Sequence, residues 1–107
     1  MRLVILHGGS AGKIFELEEG SNLIGRWDPE TGAFPEVDLE EEDVEAKISR
    51  KHAIIEVSGG KAVVGDAGSR NGTYLNGSYK LEPGMTHELK AGDEIIVGKV
   101  VLRFEEA

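Results

Sequence analysis

The sequence predicts an all-β domain, a sandwich or barrel of short strands. Three observations carry that expectation. Glycine occurs 15 times and separates short apolar runs, the pattern of strands joined by tight turns. Two Asn-Gly pairs, Asn71-Gly72 and Asn76-Gly77, lie close together, and Asn-Gly favours the positive φ angles of such turns. No amphipathic helix of useful length is present. Read in order, the chain yields roughly ten short strands, a spacing that suits a sandwich or barrel.

Leu3–His7 reads as a buried strand. A turn at Gly8–Gly12 leads to a second strand, Lys13–Leu17, that can pair with it as a hairpin. Glu18–Ser21 turns the chain into a third strand, Asn22–Arg26. The segment Trp27–Ala46 is the least regular. Pro29 and Pro35 exclude a continuous helix there. Val37–Leu39 alternates and suits a brief strand, and Glu40–Ala46 carries too many like charges for a stable isolated helix. It reads as an exposed acidic loop. Ala53–Val57 and Lys61–Gly65, joined by Ser58-Gly59-Gly60, give a strong hairpin signal. The two Asn-Gly pairs leave room only for a very short strand, Thr73–Leu75. Pro83-Gly84 is a further turn, and Glu94–Val97 with Val100–Phe104 form a last hairpin across Gly98-Lys99.

Length and composition narrow the function classes. The 107 residues match one domain, and 39% hydrophobic content suffices for a core without metal or disulfide support. No internal repeat or domain boundary appears. The chain stops just after the last strand, so 1–107 is expected to be a single domain and allows for one module of a longer protein. The absence of cysteine excludes a disulfide framework, a thiolate nucleophile and cysteine-ligated zinc, and fits a reducing, cytoplasmic location. Met1–His7 begins like a signal peptide, but its apolar run is too short and ends at Gly8-Gly9. No run approaches a membrane span. A net charge of −8 argues against general binding to nucleic acid or anionic membrane.

The placement of the basic residues is more telling than their number. The arginines are Arg2, Arg26, Arg50, Arg70 and Arg103, and nothing basic lies between Arg26 and Lys47, an interval crowded with acids. Arg26, Arg50 and Arg70 fall in small polar loops, the last two each beside a serine. Arginine presents a planar fork that pairs with two oxygens of a carboxylate or phosphate. Serine adds a hydroxyl donor, and an asparagine amide can pair with a peptide backbone. Arg26, Ser49, Arg50, Arg70 and Asn71 together suit a phosphate with peptide attached. Solvated charges at loop ends are the competing reading of each arginine taken singly.

The combination resembles the forkhead-associated (FHA) domain. The motifs are Gly25-Arg26, then Ser49-Arg50-Lys51-His52-Ala53, then Asp66 with Ser69–Gly77, then Leu89–Gly98, in that order and over Leu3 to Phe104. The resemblance implies a β-sandwich of about eleven strands that binds phosphothreonine peptides through loops at one end, without enzymatic activity or cofactor. It implies that Arg26 and Ser49 hold the phosphate and that Arg50 contacts it or the nearby peptide. Asn71 is expected to bond the peptide backbone, and Arg70 occupies a variable peptide-facing position. His52 supports the site from behind, while Gly25, Gly72, Thr73, Asn76 and Gly77 serve its architecture. A monomer that reads the output of a Ser/Thr kinase is expected. Trp27–Lys47 departs from compact members by being longer and more acidic, which bears on selectivity for residues flanking the phosphothreonine.

Other readings were weighed against these. His52 as a metal ligand or acid–base group lacks any accompanying ligand or nucleophile pattern. His7 and His87, in or near strands, likewise have no partner motif. Ser49 near His52 lacks the G-x-S-x-G turn of a hydrolase. The acidic run Glu36–Glu45 does not match calcium-loop spacing. Trp27 either lines the peptide site or packs at a strand end, and Tyr74 and Tyr79 read as sandwich residues. The functional alternative is a phosphate-independent assembly domain that uses a sheet face or the acidic 36–45 loop.

Overall fold

The computed structural model describes residues 1–106 of the chain. Among them are eleven strands and no helix. The strands are β1 (Arg2–His7), β2 (Ile14–Glu16), β3 (Gly20–Gly25), β4 (Val37–Asp38), β5 (Lys51–Ser58), β6 (Lys61–Asp66), β7 (Thr73–Leu75), β8 (Tyr79–Leu81), β9 (Thr86–Glu88), β10 (Glu94–Val97) and β11 (Val100–Glu105). They form two sheets, β2-β1-β11-β10-β7-β8 and β4-β3-β5-β6-β9. Pairing is antiparallel except between β3 and β4, so the all-β sandwich expectation holds.

Side-chain alternation builds the core. Along β11, Val100, Leu102 and Phe104 are buried while the residues between them are partly exposed. Strand β10 repeats the pattern with Ile95 and Val97. Period-2 alternation places these on one sheet face. They meet Ile24, Ala53, Ile55, Val57, Ala62 and Val64 from the second sheet in one hydrophobic cluster. The hairpins β1–β2, β5–β6 and β10–β11 fall where the turn residues indicate. Gly59 and Gly60 both have positive φ in the β5–β6 turn.

Two expectations need correction. Strands β8 and β9 lie outside the apolar pattern, because each is a three-residue edge strand with mostly exposed polar residues and gives no apolar period to read. Tyr79 opens β8, half-exposed on that edge, its hydroxyl donating to the Met85 sulfur at 3.3 Å. The acidic segment Glu40–Ala46 is not simply an exposed loop. The Glu42 side chain is fully buried with Lys13 Nζ 3.8 Å away, and the Asp43 side chain is 2% exposed.

Antiparallel pairing also positions the loops. Gly25 pairs with Lys51, and Ala53 pairs with Asp66. The end of β3, the start of β5 and the end of β6 therefore lie at one end of the sandwich. Truncating a core side chain at the centre of this packing tests the fold. Phe104→Ala is expected to cost about 3–5 kcal/mol, read as a lower urea midpoint with unchanged slope.

Candidate functional site

The loop Ala46–Arg50, between β4 and β5, is the hub of that end. Its backbone carbonyls accept bonds from both of the other arginine-bearing segments. Arg26 Nε donates to the Ile48 carbonyl at 2.7 Å, and the Arg26 amide donates to the Arg50 carbonyl at 3.0 Å. Asn71 Nδ2 donates to the Lys47 carbonyl at 2.8 Å, and Arg70 Nη2 to the Ala46 carbonyl at 3.3 Å. The loop itself is held from within. The Asp43 carboxylate accepts the Lys47 and Ile48 amides at 2.8 and 2.9 Å, and Ile48 is fully buried against the β10–β11 turn, where a Cβ on Gly98 would lie 2.9 Å from its Cγ1.

His52, at the start of β5, ties this hub to the β6–β7 loop. It is fully buried. The Ser49 amide can only donate, so His52 Nδ1 accepts it at 2.9 Å. The Gly72 carbonyl can only accept, so Nε2 carries the proton and donates at 2.8 Å. Both ring nitrogens are used and the neutral tautomer is set. Burial pushes the His52 pKa below its ordinary value, outweighing the Gly72 bond and the charges of Asp66 and Asp43.

Asp66 organises the β6–β7 loop in the same way. Its Oδ2 accepts the Gly68 and Ser69 amides, each at 2.9 Å. Its Oδ1 accepts the hydroxyls of Ser69 at 2.5 Å and Thr73 at 2.7 Å. Partial burial would raise its pKa, but these four bonds prevail and hold it below the usual carboxylate value. The Ser69 hydroxyl in turn accepts the Gly72 amide at 2.9 Å. Gly72 has φ +86 and is buried, with Tyr74 against the position of any Cβ, so only glycine suits it.

The structure therefore brings together Arg26, Ser49, Arg50, Arg70 and Asn71, with Gly25, His52, Gly72 and Thr73 beneath them. Ser49 Oγ accepts the Arg70 amide at 3.0 Å, which leaves its hydroxyl proton to donate. Arg26 is 23% exposed and lies 3.6 Å from Asp43, while Arg50 is 56% exposed and pairs with Asp28 at 2.6 Å. Asp28 sits below the ordinary carboxylate pKa because of the Thr31 hydroxyl above all; burial opposes this as the next-largest effect, and the Glu30 amide and the Arg50 and Arg26 charges add to the lowering. Chemically, the arrangement is a concentration of directed donors for an anion. It is a poor nucleophile–base pair, since the Ser49 amide rather than its hydroxyl bonds His52.

Asn76 and Gly77 do not join the site. They form the turn at the opposite end of β7, where Asn76 Oδ1 accepts the Glu94 amide at 2.9 Å. Sequence reasoning also missed two acidic supports, Asp28 and Asp43. A signal was present in Asp28 and Asp43, each followed by residues able to close a side-chain-to-backbone turn. Trp27 and Phe34 lie edge to face, centroids 6.3 Å apart, and are 53% and 59% exposed beside the site.

Two predictions follow from this geometry. A Cβ on Gly25 would lie 1.9 Å from the Arg50 carbonyl oxygen, so Gly25→Ala must part β3 from β5. It is expected to lose at least about 1–3 kcal/mol in urea unfolding. For His52, the folded value lies below the ordinary 6.5. Between the two, the unfolded chain binds a proton that the folded chain refuses, so stability is complete above 6.5 and falls as pH drops through that window. Unfolding measured across this range should show that slope, and His52→Gln should remove the slope whatever its absolute stability.

The comparisons agree with this geometry. The family model described as FHA domain matches residues 22–98. A Corynebacterium efficiens protein named oxoglutarate dehydrogenase inhibitor is 38% identical over 102 residues, which are 95% of this chain and 63% of that protein. A Mycolicibacterium smegmatis protein named glycogen accumulation regulator GarA is 37% identical over 102 residues, covering 95% of this chain and 56% of that protein. The chain thus spans less than two thirds of the length of these relatives. Among solved structures, an FHA domain from work on phosphothreonine-dependent FHA domain interactions superposes with TM-score 0.74 at 30% identity, covering 99% of this chain and 97% of that one. The FhaA FHA domain in complex with the intracellular domain of Rv3910 also gives TM-score 0.74, at 29% identity, with 95% and 96% covered. With the family model matched over residues 22–98 and relatives up to 38% identical over 95% of its length, this chain belongs to the FHA domain family.

Proposed function

We propose that the chain is a phosphothreonine-dependent binding module that recognises partners modified by a Ser/Thr kinase. The observation that carries the reading is the common anchoring of Arg26, Arg70 and Asn71 on the carbonyls of Ala46, Lys47 and Ile48. Donors from two loops are anchored on the backbone of a third, which reduces the ordering cost of binding. Arg26, Ser49 and Arg50 take the phosphate, and Arg70 and Asn71 take the adjoining peptide. Asn71 exchanges its bond to Lys47 for one to the ligand backbone or shares it. The names of the relatives, an inhibitor and a regulator, support a regulatory role. The reading includes a monomer acting in the cytoplasm as a single module over residues 1–107.

Selectivity follows from the acidic flank. A cleft of about 320 Å³ beside Trp27 is lined by Glu36, Asp38, Glu40 and Glu41 together with Phe15 and a single basic residue, Lys13. It disfavours acidic residues next to the phosphothreonine and favours basic ones. The same cleft gives the second reading its support, a phosphate-independent assembly surface for a basic partner.

Calorimetric titration with matched phosphothreonine and unmodified peptides separates these. The phosphorylated peptide alone should bind, and Arg26→Ala should weaken it about tenfold to a hundredfold, the range for hydrogen bonds to charged groups. Binding should fall below about pH 6, where the phosphate becomes a monoanion, and at high salt. Equal affinity for both peptides, with loss on charge reversal of Glu40 and Glu41, would favour the assembly reading instead.

A further inference from the structure

Arg50 already has an anion. Its Nε lies 2.6 Å from Asp28 Oδ2, and this ion pair holds a side chain that is otherwise 56% exposed. Arg26 differs, because its Nε rests on the neutral Ile48 carbonyl at 2.7 Å with Asp43 farther off at 3.6 Å. The Asp28 carboxylate is held by its own turn. Its Oδ2 also accepts the Thr31 hydroxyl at 2.9 Å, and its Oδ1 accepts the Glu30 amide at 3.1 Å. Reciprocal backbone bonds between Asp28 and Ala33, 2.8 and 2.9 Å, close the turn. Ala33, which closes that turn, is fully buried.

We propose that Asp28 is a built-in competitor for the ligand, a positioning residue that orders Arg50 in the free domain and lowers affinity by occupying one edge of its guanidinium. The inference rests on the phosphothreonine reading above. A phosphate dianion offers more charge and three acceptor oxygens, so it draws Arg50 away from, or shares it with, a single carboxylate. The affinity that results is the difference between the two interactions. An ion pair this exposed is weak, so the restraint is modest and reversible. It also explains why an acidic residue sits against a phosphate-binding arginine. The carboxylate restrains a side chain that is otherwise 56% exposed.

The test is a double-mutant cycle on the whole chain, titrated with a phosphothreonine peptide at about pH 7.5, where the phosphate is dianionic. Asp28→Asn keeps an oxygen for the Glu30 amide and removes the charge. It should bind about two- to fivefold more tightly than wild type, the range for an exposed ion pair. Arg50→Gln should bind more weakly, and in that background Asp28→Asn should bring no gain, because no guanidinium remains to be released. Asp28→Ser, which can still accept the Glu30 amide, should reproduce the gain and covers poor folding of the asparagine variant. Unchanged or weaker binding by both Asp28 variants would overturn the proposal. So would a gain that persists with Arg50→Gln, since Asp28 would then act by repulsion at a distance. A wild-type chain indifferent to phosphorylation would sink the underlying functional reading, and that result is obtained before any variant is made.

Discussion

The site depends on two hydrogen bonds made by one buried imidazole. His52 accepts the Ser49 amide and donates to the Gly72 carbonyl, joining the β4–β5 and β6–β7 loops across the end of the sandwich. No other side-chain type supplies an acceptor and a donor on opposite edges of a rigid ring at that separation. Removing either contact leaves a buried polar group without a partner, at about 1–3 kcal/mol. Because His52 stands at the start of β5, whose neighbours β3 and β6 end at the same level, the register of the sheet determines where both loops can go. The carbonyls of Ala46–Arg50 then face the side chains of Arg26, Arg70 and Asn71.

An acidic chain gathers a cluster of arginine, serine and asparagine donors here, and the acids help to build it. Asp43 accepts the amides of Lys47 and Ile48, Asp66 those of Gly68 and Ser69, Asp38 those of Trp27 and Glu40. Each carboxylate satisfies amide donors that a strand ladder does not reach, the usual work of aspartate in irregular backbone. Their charges are met by hydrogen bonds or by a neighbouring arginine, so at short range the donors aimed outward prevail over a net charge of −8. Screening over about 8–10 Å weakens the rest. Glu42 is the exception. It is buried near Lys13 with neither carboxylate oxygen hydrogen-bonded, and the structure offers no physical account of it.

Much of this was legible in the sequence. Glycine-bounded apolar runs located nine strands, and the order of the motifs located Arg26, Ser49, Arg50, His52, Arg70, Asn71 and Gly72. Strands β8 and β9 escaped because a three-residue edge strand needs no apolar alternation. Asn76-Gly77 repeats the letters of Asn71-Gly72, yet a strand of three residues carries it to the far end of β7, away from the site. Glu40–Ala46 read as solvated because charge predicts exposure on average, whereas Asp43 turns inward to cap its own loop.

By itself, then, the sequence determined the strand content, the turns and the set of donors, since these follow from local periodicity and from residue chemistry. Tertiary structure decided which acids touch which arginines, where the repeated Asn-Gly turn falls, and which nitrogen of His52 carries the proton. Those depend on contacts between segments distant along the chain, such as Arg50 with Asp28 and His52 with Gly72, and no local pattern encodes the register that brings them together. The resemblance to a family pointed to a phosphate pocket on three loops. The folded chain adds an internal anion, Asp28, paired with Arg50.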